Sequence, residues 1–459
     1  MSTITAPPTT LDLGAALREC CTGPVSCPGD PGHDEARQAW NLSVDQRPEA
    51  VVRARSTADV VATVELCRAR GLRVAPQATG HGAAALGPLT GAVLLRTDLM
   101  RDVAVDPQAR TVRVAAGARW DDVLAASAPH GLAPLAGSAG DVGVVGFCLG
   151  GGLSFLGRRH GLACGDVLGA DVVLADGSLV HARADDHAEL LWALRGGSGA
   201  FGVVVALELA LHPVPELSAG ALFWPIERAR EVLGAWRDWC AVAPESISTS
   251  ARLMRFPPDP ALPEPLRGAA LVVVDGAFVG PAADAEAVVA PLRAICPMLD
   301  TFGPAPLEAL TQLHMDPPVP VPAISTHALL SEADDHVLDA LVATAGADSG
   351  TSATVVELRQ LGGALARPTG VGAQRTIDAG FLFFALGVLG GPADPATIGT
   401  DLTAIAARVA SRAVGTFPNF VESPDGDVAP ESSVGDRLSD IKTRLDPAGV
   451  VQAAHAPRR

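Results

Sequence analysis

Leu72-Arg73-Val74-Ala75-Pro76-Gln77-Ala78-Thr79-Gly80-His81-Gly82 joins a short apolar strand to a turn that sets one histidine between two glycines. Glycine has no Cβ, so the backbone can bend sharply and come close to a flat or charged ligand. Such small neighbours leave the His81 imidazole uncovered and open to chemistry. Alone, a Gly-His-Gly turn is ordinary. Its weight depends on what surrounds it.

Upstream, Ser56 to Gly71 reads as a helix. Ser56 suits the N-cap, Asp59 follows three residues on, Val60, Val61, Val64, Leu66 and Cys67 supply an apolar face, and Gly71 is a stop. Before it, Asp34–Asn41 is expected as a helix and Val51–Ala54 as a strand. Residues 1–32, rich in Pro, Thr and Gly, are expected as a loosely held arm with one short helical pattern at Leu11–Arg18. Downstream, strands are expected at Ala92–Leu95, Val103–Val105 and Thr111–Val114, and a helix at Trp120–Ser127.

Two more glycine-rich turns follow. Gly137-Ser138-Ala139-Gly140-Asp141-Val142-Gly143-Val144-Val145-Gly146-Phe147-Cys148-Leu149-Gly150-Gly151-Gly152 interleaves glycine with apolar residues. A linker would be hydrophilic, so this segment is read as a buried loop whose backbone N–H groups face a ligand. It is not a P-loop, since no Gly-Lys-Ser/Thr follows, and it lacks the order of a dinucleotide fingerprint. Arg195-Gly196-Gly197-Ser198-Gly199-Ala200-Phe201-Gly202 is the third turn and runs into the strand Val203–Leu211.

The composition narrows the possibilities. A chain of 459 residues, 48% hydrophobic, is long enough for two or three domains. A formal net charge of -17 argues against a nucleic-acid partner, which needs a basic footprint. No apolar run reaches the roughly 18 residues of a membrane span, and the N-terminus lacks the basic start and apolar core of a secretory signal. A cytoplasmic protein is expected. The eight cysteines form no zinc-type pair and are expected as free thiols. Tyrosine is absent altogether, which excludes a phenolic acid or base.

After Pro213 the texture changes. Strands at Ala221–Trp224, Ser246–Met254, Leu271–Phe278, Ala353–Leu358 and Phe381–Leu386, with helices at Arg228–Cys240 and Ala283–Ile295, indicate an antiparallel sheet backed by helices. Pro317–Pro322 is either part of a substrate entrance or a rigid connection. A helix at Val434–Leu445 ends the chain.

Three glycine-rich turns, each joined to a strand, are most simply explained by one large, flat, phosphate-bearing ligand, FAD. With Thr79-Gly80-His81, Gly137–Gly152, Arg159-His160-Gly161-Leu162, Asp171–Gly177, Leu191–Gly197, Asn419-Phe420 and Asp446-Pro447 in place, the chain resembles the FAD-linked oxidases of the vanillyl-alcohol oxidase superfamily, berberine bridge enzyme-like group. The resemblance implies an α+β fold: a two-part PCMH-type FAD-binding domain (33–213), a substrate domain (214–410), and a C-terminal segment (411–459) returning to the FAD-binding domain. It also implies FAD contacts from Pro76, Gln77, Ala78, Thr79, Gly80, His81 and Gly82. Further contacts are implied from Gly137, Ser138, Gly140, Asp141, Val142, Gly143, Gly146, Gly151 and Gly152, and from Gly202, Val203, Asn419 and His455. His81 matches the histidine that bonds the flavin 8α carbon. Ala139 stands where many members have a second, cysteinyl link, so a single covalent link is expected, with Cys148 packed in the core.

Departures concern catalysis. Phe417-Pro418-Asn419 replaces the family's Tyr-x-Asn, Ala454-His455-Ala456 its Asn-His-Asn, and Gly199-Ala200-Phe201-Gly202 its Gly-Asn-Phe-Gly. Replacement catalytic residues are sought on the substrate-domain strands: Glu357 and Arg359, which share a strand face, the following Gln360, and His327, with His314 a further candidate. No metal is expected. The expected activity is oxidation of a small organic molecule, a secondary-metabolite intermediate by resemblance, at C–OH, C–NH or activated C–H, with O2 as electron acceptor. The alternative is a redox-neutral cyclisation or isomerisation with FAD as a structural or electrostatic element. Monomer and homodimer both stay open.

Overall fold

The computed structural model describes residues 12–368, 371–424 and 432–455. Leu11 of the first helical pattern and Ala456 of the tail motif lie outside them.

Two sheets build the first half. In one, Val25–Ser26, Ala50–Arg53, Ala92–Arg96 and Arg73–Gln77 lie side by side in that order. The last two pairings are parallel, and the helix Thr57–Ala69 makes the crossover. Ser56 caps that helix, its hydroxyl accepting from the Asp59 N–H. The second sheet is antiparallel, in the order Val103–Asp106, Thr111–Ala115, Val203–Ala210, Val167–Val173, Leu179–Ala182.

The arm is not loose. Leu13–Cys20 is a helix with Leu17 fully buried, and Val25–Ser26 adds an antiparallel edge strand to the first sheet. Asp59 explains the attachment: its carboxylate accepts from the N–H groups of Thr22 and Arg55 and from the Thr22 hydroxyl. The latch spans the chain from residue 22 to 59, a pairing that local composition does not reveal. The helix expected at Asp34–Asn41 is also shorter, His33–Arg37. The chain unwinds there and brings Trp40 inward.

The second half is one nine-stranded antiparallel sheet. Its central strands are Leu217–Pro225, Ala270–Val279, Ile247–Arg255, Val355–Gln360, Phe381–Val388 and Ala323–Leu330. Helices Ala229–Cys240, Ala282–Arg293, Asp335–Ala345 and Pro395–Val409 cover one face, around a core that includes Trp224, Trp236, Leu253, Val274, Val356 and Leu358. The strand Ala413–Gly415 joins this sheet at its edge, so the substrate-side sheet extends past the boundary expected at 411. The opposite face turns toward the first half. At the end of the sheet Arg158 joins the two halves, fully committed to carbonyls: Leu361 at 3.0 Å, Pro244 at 3.0 Å and Ile247 at 2.5 Å.

The tail returns to the first half. Val74 N–H donates to Val450 O at 2.7 Å and Gln452 N–H to Val74 O at 2.8 Å, so the tail closes the edge of the strand that leads to His81. The buried Lys442 ammonium, on the helix Ser432–Leu445, holds Asp446, Val451 O at 3.0 Å and Ala200 O at 2.7 Å.

Candidate functional site

The Arg73–Gln77 strand ends where its backbone must leave the sheet, and Gly80 makes the turn at φ 91°. A side chain there would collide with Gln77 and Ala39. His81 is therefore held by defined contacts. Its ring stacks on Trp40 with centroids 4.4 Å apart and planes at 22°. Nδ1 lies 2.8 Å from the Thr79 hydroxyl. Nε2 is buried, and the carboxylate of Asp141 stands 3.5 Å from it, longer than a full hydrogen bond. The Trp40 indole N–H donates to the other Asp141 oxygen. Burial works against the Asp141 charge, but His81 and Trp40 outweigh it and keep the carboxyl below its ordinary range.

The segment 137–152 corrects the expectation of a continuous ligand-facing loop. Val144–Leu149 is a short helix. Most of its glycines answer to protein neighbours. A Cβ on Gly137 would strike Phe147, on Gly140 Asp121, on Gly151 Phe417, and on Gly152 Phe147 and Ala163. Gly202 likewise lies against Val172, and Val203 is fully buried in the core. Gly143 packs beside Ala78 and Thr79, which sets the two glycine segments side by side. Asn419 ties the tail to this segment: its Oδ1 accepts from Gly152 N–H at 2.9 Å and its Nδ2 donates to Phe147 O at 3.1 Å. Cys148 is fully buried in the core, as expected, and burial raises its thiol well above the ordinary value.

The residues fit FAD in two respects. A Cβ on Gly82, in the first turn, or on Gly146, in the short helix, would meet nothing within 4 Å, so open space lies before both. The buried Gln77 Nε2, Ser198 Oγ and His455 Nδ1 lack partners in the protein, as expected where a polar ligand completes them. Pro76 precedes Gln77 on the same strand. Ser138 reaches across to Asp316 at 3.4 Å. Among the described residues no cluster of histidine, cysteine and acidic side chains could hold a metal.

The catalytic candidates separate. Glu357 and Arg359 share the inner face of their strand and join a buried charge cluster that the sequence reading had only in part. Arg359 Nε bonds Glu357 at 2.7 Å, and His314 donates to Glu357 at 3.0 Å and to Asp275 at 3.1 Å. Arg252 and Ser250 close on Asp275. Register makes this possible: Ser250 stands opposite both Asp275 and Arg359, and Arg252 opposite Glu357. Burial and Arg252 oppose the His314 charge, yet the two carboxylates prevail and push it up to about 9. Arg359 and His314 hold Glu357 far below the carboxylate range despite burial. Arg359 lies between Phe155 and Phe420, 5.9 Å from each ring centre.

Gln360 does not belong to this group. Strand alternation turns it to the helix-covered face, where it bonds Thr249 and Cys240 O. His327 shares the inner face, opposite Phe384, which is itself opposite Glu357. Its Nε2 already accepts from Phe417 N–H at 3.0 Å, and burial lowers it to about 4. Beside it lies a cavity of about 370 Å³ lined by Ser325, His327, Phe420 and Glu422. Burial raises the Glu422 carboxyl above its usual range. Sequence reasoning missed Trp40, Phe155, Arg252, Asp275 and Glu422. Asp275 had a signal, a lone acid in the apolar run Leu271-Val272-Val273-Val274.

Residues 48–183 match the family model of an FAD binding domain. The chain contains an FAD-binding domain. As a whole it has the fold of the PCMH-type, berberine bridge enzyme-like flavoproteins. The BBE-like 1 protein of Physcomitrella patens superposes with a TM-score of 0.84 at 19% identity, over 98% of this chain and 99% of that one. (R)-6-hydroxynicotine oxidase of Paenarthrobacter nicotinovorans is 32% identical over 203 residues, 44% of each chain. Glucooligosaccharide oxidase of Sarocladium strictum is 35% identical over 214 residues, 45% of this chain and 43% of that one. The chain thus matches less than half the length of these two curated relatives.

Proposed function

We propose that this flavoprotein is an FAD-dependent oxidase of a small organic molecule, acting on a C–OH, C–NH or activated C–H bond, with FAD attached through His81 and O2 as electron acceptor. The observation that carries the reading is the charged inner face of the sheet, set on the residues that follow the glycine turns through Phe155. Bound FAD supplies the two-electron acceptor. The protein supplies the rest.

The Glu357–His314–Asp275 chain holds Arg359 in a fixed pose, and Arg359 with the rings of Phe155 and Phe420 orients the substrate. Glu357 is charge-locked and a weak base. Glu422, whose carboxyl is raised by burial, is the better acceptor for a hydroxyl or amine proton. A secondary-metabolite intermediate is the substrate class supported by the resemblance, and the acidic chain is read as cytoplasmic. The absence of tyrosine and the replacement of the family's Tyr-x-Asn by Phe417-Pro418-Asn419 favour the second reading, a redox-neutral cyclisation or isomerisation.

The test is aerobic incubation of the yellow protein with panels of alcohols, amines and sugars, following peroxide release and loss of flavin absorbance. Peroxide with any member supports the oxidase. Substrate conversion with neither peroxide nor bleaching sinks it in favour of the redox-neutral reading. Acid precipitation checks the link: colour should stay with the polypeptide, and His81→Ala should release it.

A further inference from the structure

We propose that Asp141, steadied by Trp40, is the positioning residue for flavin attachment: it keeps the His81 proton on Nε2 and so puts on Nδ1 the lone pair that bonds the flavin, in exchange for its hydrogen bond from Thr79. The proposal rests on the covalent reading of His81 above.

The geometry distinguishes the two nitrogens. Nε2 is buried, and the Asp141 carboxylate faces it at 3.5 Å. A carboxylate can only accept, so the imidazole proton belongs on that side. Nδ1 is then the acceptor, and the Thr79 hydroxyl at 2.8 Å donates to it. Trp40 acts twice. It stacks on the imidazole and fixes its plane, and its N–H donates to the second Asp141 oxygen. Asp141 is thereby held by one partner while it orients the other, as carboxylates orient metal-binding histidines.

Attachment replaces one C–H bond of the flavin methyl and one N–H bond of His81 by a single C–N bond. The two hydrogens leave with their electron pair to dioxygen, giving hydrogen peroxide. When Nδ1 forms its bond the imidazole gains positive charge, and the N–H to be lost is the one on Nε2. Asp141 is placed to stabilise that charge and receive that proton.

The experiment uses the full chain, expressed under riboflavin limitation and then supplied with FAD. Two quantities are read over time: total FAD retained under native conditions, and flavin fluorescence that stays with the polypeptide after acid and denaturing electrophoresis. Asp141→Asn should attach FAD at least tenfold more slowly than wild type, counted per FAD bound natively. Trp40→Phe, which keeps the stack and loses the N–H, should give a smaller slowing and serves if Asp141→Asn fails to fold. Attachment at the wild-type rate in a folded Asp141→Asn, or in Trp40→Phe where that variant alone is folded, overturns the proposal while the His81 link stands. A wild-type chain whose flavin is wholly released by acid overturns the covalent reading, and this proposal with it.

Discussion

Glu357, His314, Asp275, Arg252 and Arg359 form an alternating chain of charges sealed between the two halves of the molecule. Each charge there is tolerable only because its neighbours oppose it, so loss of one strands the others. Asp275→Asn should destabilise the protein by about 3–5 kcal/mol, read as a fall in the denaturant midpoint. Glu357→Gln should reduce turnover through Arg359, and a kcat unchanged from wild type would remove that strand from the site. The cluster also gives stability a pH dependence. His314 is raised from 6.5 to about 9, so its contribution is complete below about pH 6.5 and is lost as pH rises through about 9. Glu357 and Asp275 are lowered, so theirs is present above the ordinary carboxylate range and lost in acid. The melting temperature should fall between pH 7 and 10, and His314→Gln should flatten that limb. A wild-type melting curve that holds level over this range would show that His314 is not charged.

At the scale of elements, strands decide which residues meet. Six-residue Val355–Gln360 sends Glu357 and Arg359 inward, as their alternate spacing implies, and turns the neighbouring candidate Gln360 to the helix-covered face. Arg158 shows a different use of an element end. The short turn Gly157–His160 delivers it into carbonyls at the end of the neighbouring domain's first helix. Charged hydrogen bonds to carbonyls are individually worth about 1.5–3 kcal/mol. Arg158→Ala should therefore cost about 3 kcal/mol or more and loosen the two halves, seen as faster hydrogen exchange in residues 243–247 and 361. Exchange unchanged there would assign the joint elsewhere.

For the whole molecule, the tail is the closing piece. Residues 450–452 pair with the strand that carries the His81 turn, Lys442 and Asp446 fasten the tail near Ala200, and Asn419 grips Gly152 and Phe147. A chain ending after residue 424 would keep every glycine turn but bare the edge of Arg73–Gln77. It should fail to take up FAD when expressed and should aggregate through that exposed edge. Lys442→Met, which leaves Asp446 buried without its cation, should lower the melting temperature with flavin chemistry unchanged. Full uptake of FAD by the truncated chain would show that the tail is dispensable for the site.

Much of this was legible in the residues. The Ser56 cap and apolar spacing placed a helix that the structure has at Thr57–Ala69, Trp120–Ser127 matches at both ends, and Gly80-His81-Gly82 marked the turn, because caps, periodicity and backbone freedom are local properties. The sequence by itself determined the two-part α+β organisation and the resemblance to FAD-linked oxidases. It did not determine that the arm is latched by Asp59, that Trp40 covers His81, or that Arg252, Asp275, His314 and Glu357 meet. Those partners lie tens to hundreds of residues apart, and only strand register and domain docking bring them within bonding distance. The glycines of 137–152 make the same point: composition marked the backbone as closely approached, and the tertiary structure decided that, for most of them, the approaching groups are Phe147, Asp121 and the tail.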